Sequence, residues 1–540
     1  MRRLAIFVVR RRWWVIGIAL IALPAAAAYG ANVHDALASG GFFDPGAEST
    51  LTRAAIVKEF PRSAQSDFAI VVTAKNGKDV NDPAVAAAGT ALTAQLGRER
   101  GVLTSSSYWT LNRVAQLHSR DSRQALIFAT LVGTDDQKLK TSGRLSPLYN
   151  VDNAAISTDV TGEVEVTRQI SDQAQKDLAR ADLLTAPLTF VALVVVFGSL
   201  VAAGLPLAVG ILAVLGTFVV LKALAQVTDV SVFSLNLTTG MGLGLAIDYS
   251  LFVVSRYREE LARGVSAPVA VGRSMQTAGR TVAFSAGTVA ISLAVLAIFP
   301  MPYLRSFSYA GVAVVALAAI SSIVVLPSVL AVLGPRIEKG RLFKVHETTD
   351  GGFWRHQADR VMRHPVPYAV AVSLVLILLA IPFFHVSVGL PDDRVGPKSM
   401  TSRAATDAVR HNFATREADA LQVRIPDVDV TKDKTAIDAF ARRIERVRGV
   451  VRIDAVTGFY GDVLGNGKQT FIPPELGPKA ITQRFVAQPG QLGTYLSVVP
   501  DVEPFSPQGE KLVKDIRATP APFKFEVAGL SAQLVDTKHA

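Results

Sequence analysis

Two side chains stand out because the run that carries them is otherwise apolar. From Gly240 the sequence reads Gly240-Met241-Gly242-Leu243-Gly244-Leu245-Ala246-Ile247-Asp248-Tyr249-Ser250-Leu251-Phe252-Val253-Val254-Ser255 before Arg256, Arg258, Glu259 and Glu260 close it. Asp248 lies eight residues before Arg256, on the order of 12 Å inside the apolar block at a helical rise of about 1.5 Å per residue. A carboxylate at such depth costs about 2.5–3.5 kcal/mol on insertion scales, and intramembrane acids usually face a bundle interior and serve proton or ion pathways. Gly240, Gly244 and Asp248 recur every fourth residue on one side of the helix, where Gly-x-x-x-Gly lets a neighbouring helix approach closely. An acid pressed against a partner helix and kept from water favours its neutral form, which suits a group that loads and releases a proton. The phenol of Tyr249 adds a hydroxyl that can hydrogen-bond to a relay partner. On the residues alone, a proton relay and plain polar glue between helices explain Asp248 equally well.

The elements that must hold this pair are membrane helices. Half of the 540 residues are hydrophobic, and mean hydropathy is positive. The apolar residues gather in blocks of about 20, the length that crosses a hydrocarbon core of about 30 Å as a helix. Backbone hydrogen bonding inside lipid requires those blocks to be helical. Seven spans are expected, at 13–31, 184–203, 205–225, 231–254, 280–299, 308–333 and 367–386. Two long polar segments, 32–183 and 387–540, follow the first and seventh spans.

The formal charge of +11 would raise nucleic acid as a partner in a soluble chain. Here the basic residues cluster at the ends of the apolar blocks, which argues against it. Arg2, Arg3, Arg10, Arg11 and Arg12 precede the first span, and Arg256, Arg258, Arg263, Arg273 and Arg280 fill the loop 255–279 and its edges. Arg336, Lys339, Arg341, Lys344, Arg355, Arg360 and Arg363 mark the linker 336–366, while the opposite loops offer little beyond Arg305, read as an interfacial anchor. With positive loops inside, residues 1–12 are cytoplasmic, 184–335 form the main bundle, and both long polar segments lie outside the inner (plasma) membrane. A cleaved signal peptide is the rival reading of Arg10-Arg11-Arg12 and the apolar run after them. Glu259 and Glu260 read as a solvated cytoplasmic face.

Other chemistry finds little support. There is no cysteine for a disulfide, thiolate site or thiol nucleophile, and the eight histidines show no ligand spacing. No Gly-x-Ser-x-Gly elbow is present. Gly461-Asp462-Val463-Leu464-Gly465-Asn466-Gly467-Lys468-Gln469 faintly resembles a phosphate loop, but its spacing is wrong and no Ser or Thr follows the lysine. Asn466-Gly467 reads as a turn. Neither an enzyme, a metal nor a bound cofactor is expected.

The sequence also repeats itself with a period of about 350 residues. Ser49-Thr50-Leu51-Thr52-Arg53-Ala54-Ala55, Phe60 and Asp67 after the first span are echoed by Ser399-Met400-Thr401-Ser402-Arg403-Ala404-Ala405, Phe413 and Asp419 after the seventh. In the first segment, strands are expected at 67–73, 102–108, 123–132 and 154–160 and helices at 82–99 and 136–149. The second gives strands near 419–425, 450–456, 493–500 and 523–528 and helices near 432–447 and 507–517. Both follow the β-α-β-β-α-β order of a split βαβ unit. The fold class expected is therefore an α-helical membrane bundle with two extracytoplasmic α+β domains. By the logic of the repeat, five further spans should follow the second domain, and the sequence ends at Ala540 before them. The expectation is of an incomplete second unit.

The stretch around Asp248-Tyr249, with Gly279-Arg280-Thr281-Val282-Ala283-Phe284-Ser285 and Gly41-Phe42-Phe43-Asp44-Pro45-Gly46-Ala47-Glu48-Ser49, resembles the MMPL family of the RND transporter superfamily. The resemblance covers essentially the whole chain. It implies export of envelope lipids, glycolipids or other hydrophobic molecules driven by the proton gradient, with no other cofactor. It also implies that Asp248 and Tyr249 belong to the proton relay. In the family a second Asp-Tyr pair, in a later span, completes that relay, and this sequence holds no such span. Thr281 and Ser285, one turn apart, are candidates to line the relay or simply to pack. Membrane lipids are the substrate implied, with a second-half chain or a homo-oligomer as partner. The alternatives are an accessory or scaffolding subunit, a truncated relic, and a sensor of membrane lipid. No single residue of the outer domains announces which lipid would be carried.

Overall fold

The computed structural model describes residues 1–38, 40–60, 67–340, 353–385, 392–413, 419–463, 467–477 and 482–539. Arg341 and Lys344 of the basic linker and Asn466 of the expected turn lie outside the described residues. Among the described residues, seven helices are long and apolar enough to cross a membrane: Arg12–Gly30, Glu163–Phe197, Leu200–Leu224, Ser234–Ala262, Ala267–Ile298, Pro302–Glu338 and Pro365–Phe384.

The chain starts with the amphipathic helix α1 (Arg2–Arg10), which buries Ala5 and Val8, and runs into α2 (Arg12–Gly30). A single turn, α3 (Val33–Ala36), and helix α4 (Glu48–Glu59) lead to the first sheet. There β1 (Phe68–Ala74), α5 (Pro83–Leu96), β2 (Val102–Ser107), β3 (Gln124–Leu131), α6 (Asp135–Tyr149) and β4 (Ile156–Thr161) follow in turn. The strands lie antiparallel in the order β2-β3-β1-β4. Side chains alternate across a strand, so Phe68, Ile70 and Val72 join Leu96, Leu145 and Tyr149 in a core beneath α5 and α6.

Helix α7 (Glu163–Phe197) is continuous for 35 residues, leaving the first sheet and entering the bundle. It ends at Gly198, left-handed at φ 68°, and α8 (Leu200–Leu224) begins at once because Ser199 caps it, its side chain accepting from Ala202 N. The expected break at 203–205 therefore falls about one turn too late. Glycine takes the left-handed cap without a Cβ penalty, and serine satisfies a free helix-start N–H. Next come α9 (Ser234–Ala262), α10 (Ala267–Gln276), α11 (Ala278–Ala294) and α12 (Pro302–Ile320). A π turn at Ser321–Val325 leads to α13 (Leu326–Leu333).

After α14 (Phe353–Arg363), the seventh helix α15 (Pro365–Ala380) buries none of its residues. Helix α16 (Thr401–Asn412) then precedes β5 (Leu421–Ile425), α17 (Lys434–Glu445), β6 (Val450–Ala455), β7 (Gly458–Gly461) and β8 (Thr470–Ile472). The chain continues through β9 (Thr494–Pro500), α18 (Pro507–Arg517), β10 (Glu526–Ala528) and α19 (Leu530–His539). The sheet order is β10-β5-β9-β6-β7-β8. Its first four strands repeat the order of the first sheet, and β7 and β8 extend one edge.

The helix before each sheet docks on the other sheet. Ala405 and Phe413, at α16 and its C-cap, cover Val71 and Leu126 on the outer face of the first sheet, and Thr161 bonds Thr406 at 2.6 Å. Reciprocally, Ile56 and Phe60, at α4 and its C-cap, pack with Phe485 and Tyr495 beside the second sheet. Arg424 of β5 donates to both Glu59 oxygens at 2.7 and 2.9 Å and to Glu526 at 2.7 Å. The exchanged helices thereby cover the second face of the central strands, and β1 and β9 are buried almost throughout. The exchange also corrects the repeat alignment. Ser49 N donates to Asp536, and Ser402 N donates to Gln169, so Ser402 rather than Ser399 is the counterpart of Ser49.

Candidate functional site

Helix α9 owes its position to small residues on one face. Gly242, Ala246, Tyr249, Val253, Tyr257 and Glu260 recur at intervals of three or four, with Ser250 beside Tyr249, and all are buried. At Gly242 an added Cβ would lie 2.7 Å from Val214 Cγ2 and 2.9 Å from Val314 Cγ2, so α8 and α12 both close on this point. Gly210 of α8 meets Ala246 and Leu243 in the same way, at 3.5 Å. The Tyr257 hydroxyl donates to Leu330 O at 2.9 Å and ties the lower end of α9 to α13.

The opposite face is open. Asn236, Gly240, Gly244 and Asp248 are exposed, and nothing lies within 4 Å of a Cβ built at Gly240 or Gly244. Among the described residues, the close approach expected at those glycines is therefore not made, and Asp248 is exposed rather than pressed against a neighbouring helix. The sequence Gly240-Met-Gly242-Leu-Gly244 carries glycines of two helical phases, and the packing phase is the one through Gly242.

Asp248 and Tyr249 consequently point different ways. Tyr249 is buried, and its hydroxyl makes no hydrogen bond of good geometry, although Ser285 and the Asp248 carboxylate are near enough to act on it. Ser285 comes from α11, which packs beside α9. Thr281, Ser285, Thr288 and Ser292 line the exposed side of α11 at spacings of four, three and four. Thr281, Thr288 and Ser292 bond back to carbonyls of their own helix at 3.4, 3.0 and 3.0 Å. Asp248 and Ser285 thus meet around Tyr249 on a polar, exposed seam, which Thr281, Thr288 and Ser292 extend along α11.

Two groups escaped the sequence reading. Ser250 and Ser322 are buried hydroxyls without a partner among the described residues, and Ser322 sits in the π turn that packs on α9. π turns inside helices often mark functional positions. The available signal was the pair Ser321-Ser322 inside an apolar span. Glu260 differs from the solvated face expected for it. It is buried and holds three arginines rather than facing solvent, because acid and bases lie on one face of adjoining helices. Arg305 donates Nε to Phe299 O at 2.9 Å.

A cavity of about 580 Å³ lies between the two sheets and draws its lining from both. Phe128 and Leu117 face it from one side and Phe459 and Phe505 from the other, with the charged pair Arg53–Glu163 in its wall. Asp67 also lines it. Burial pushes the Asp67 carboxyl above its usual range, against the pull of Lys138 at 3.1 Å. Cavities of this size and mixed lining are typical ligand sites. Among the described residues, no group of three or more His, Asp or Glu side chains is placed to hold a metal.

The family model described as MMPL family matches residues 41–368, well over half of the chain. This chain belongs to the MMPL family. As an MMPL chain with seven apolar helices, it is a multi-spanning membrane protein. It is 32% identical over 416 residues to the trehalose monomycolate exporter MmpL3 of Mycolicibacterium smegmatis, covering 70% of this chain and 41% of that one. The mycolic acid-containing lipids exporter MmpL11 of the same organism is 27% identical, covering 72% and 41%. Membrane protein YdfJ of Bacillus subtilis is 28% identical, covering 62% and 45%. The chain spans about half the length of the curated relatives it matches.

Proposed function

We propose that this MMPL chain takes part in proton-driven export of lipids, with Asp248 and Tyr249 as its proton relay and Ser285 beside them. The observation that carries the reading is the polar seam. A carboxylate and four hydroxyl side chains face outward from the apolar stretches of two neighbouring helices, α9 and α11. Hydrocarbon does not tolerate such a face, so it works against protein or ordered water. A second membrane bundle, from another chain or a second copy, is the counterpart this seam fits.

The orientation proposed places residues 1–12 and loop 255–279 in the cytoplasm and both sheets outside, as the positive-inside rule supports. Transmission to the outer domains follows from α7, which runs unbroken from bundle to sheet. At its start, Glu165 is fully buried and accepts from Ser142 at 2.6 Å, Ser146 at 2.8 Å and Arg168 at 2.6 and 2.9 Å. Gln169, one turn on, accepts from Ser402 of α16. Protonation and release at Asp248 would shift α9 and its neighbours, and α7 would pass that shift to the wall of the intersheet cavity. The cavity, apolar with charged groups in its lining, suits an amphiphile with long acyl chains and a polar head, the class named for two of the relatives.

The test is export in cells carrying the wild-type chain, Asp248→Asn and Tyr249→Phe at equal protein levels. Loss of export in Asp248→Asn, and arrest of the wild type by a protonophore, is the expected outcome. Undiminished export by Asp248→Asn, or export with the gradient collapsed, overturns the relay and leaves a scaffolding role.

A further inference from the structure

At the end of α9 one buried carboxylate gathers three guanidiniums. Glu260 is only 2% exposed, yet its Oε1 accepts from Arg263 Nη1 at 2.7 Å and pairs with Arg256 Nη2 at 2.8 Å, while Oε2 accepts from Arg273 Nη1 at 2.9 Å. Arg256 also donates Nη1 to Glu259 at 2.6 Å. Three cations on two carboxylates leave an excess of one positive charge. A single arginine would have neutralised Glu260, so the network holds more cation than fold closure needs.

The surplus faces outward. The Arg263 and Arg273 side chains are 56% and 53% exposed. Each guanidinium carries five N–H donors in a planar fork, and each spends one on Glu260. Glu260 fixes the forks in place, which reduces the entropy lost when they bind an anion. Planar forks match tetrahedral oxyanions two bonds at a time.

The surroundings say which oxyanion. Helix α1 packs on α10, the helix that carries Arg273, and leaves Ile6 and Phe7 half-exposed. Trp13 and Trp14 at the start of α2 are exposed as well, as aromatic side chains at a membrane–water boundary are. Under the proposed orientation the arginines at the end of α9 and on α10 lie on the cytoplasmic side of the bundle, where α1 packs on α10, and basic pockets between membrane helices on that side hold anionic lipid heads.

We infer that Arg256, Arg263 and Arg273, gathered by Glu260, bind the phosphate of an anionic phospholipid headgroup. The full chain in nanodiscs of phosphatidylcholine is titrated with phosphatidylglycerol, reading thermal melting and the lipid copies retained in native mass spectrometry. The wild type gains melting temperature and retains phosphatidylglycerol. Arg263→Gln with Arg273→Gln melts like the wild type in phosphatidylcholine alone, and its affinity for phosphatidylglycerol falls about tenfold or more, the loss of charge-assisted forks. Arg263→Lys with Arg273→Lys keeps the charge, protects against misfolding of the first variant, and still loses affinity because the fork is gone. Equal phosphatidylglycerol responses in the wild type and the lysine variant overturn the site. So does an equal shift with inorganic phosphate alone, which would assign it to a free anion. Asp248→Asn binds phosphatidylglycerol like the wild type, which keeps this test separate from the relay.

Discussion

Gly242 and Gly244 are two residues apart and serve opposite faces of α9. A methyl group at Gly242 would meet Val214 and Val314 below 3 Å, whereas at Gly244 it would meet nothing. Gly242→Ala is expected to destabilise the bundle by about 1–3 kcal/mol, the usual cost of overpacking. Gly244→Ala should leave the melting temperature of the purified chain unchanged, and a matching loss in both would show that α9 is phased differently. Asp248 was legible in the sequence because a carboxylate in an apolar run is costly wherever it points. Its surroundings were not legible, since four-residue spacing defines a face without saying what covers it. Glu260 shows the same limit. Charge type and spacing are visible in the chain, but burial depends on α10 folding back over the end of α9.

The exchanged helices are the element-level finding with the most leverage. Because there is no native cysteine, Thr161→Cys with Thr406→Cys should form a disulfide linking β4 to α16, given hydroxyls 2.6 Å apart. After proteolysis between the two positions, the fragments should separate only under reduction. Separation without reductant would place α16 on its own sheet. The docking of α4 depends on Asp536, which accepts from Ser49 N at 2.9 Å and from Arg517 Nη1 at 2.8 Å. Burial alone would raise its carboxyl, but Arg517 and Ser49 outweigh that and hold it below the usual range. The folded state therefore binds this proton less readily than the unfolded one. The resulting stability is present above about pH 4 and is lost as pH falls through the lower folded value. Asp536→Asn should lower the melting temperature at neutral pH, and the gap from the wild type should close on acidification. A gap independent of pH would assign the effect to packing. The strand-helix alternation of both sheets was readable from β-branched runs and turn residues, as at Val102–Ser107 and Ile156–Thr161. Strands β7 and β8 were not, being only four and three residues long and held by pairing rather than pattern.

Across the whole molecule, the orientation proposed from charge makes a sharp prediction. Single cysteines at exposed His34 and Lys432 should react with an impermeant maleimide added to intact spheroplasts, and one at Ala262 only after lysis. The reverse pattern would invert the topology and move the sheets to the cytoplasm. The sequence by itself determined that the chain crosses a membrane, how many apolar helices it has, and that an acid and a phenol stand inside one of them. These follow from local quantities: run length, hydropathy and the cost of a buried charge. Only the tertiary structure decided that each pre-sheet helix crosses to the other sheet, that Tyr249 turns inward while Asp248 faces an uncovered seam, and that three arginines converge on Glu260. Those depend on contacts between residues far apart in the chain, which no local pattern encodes because the same helical face can be covered by any neighbour of complementary shape.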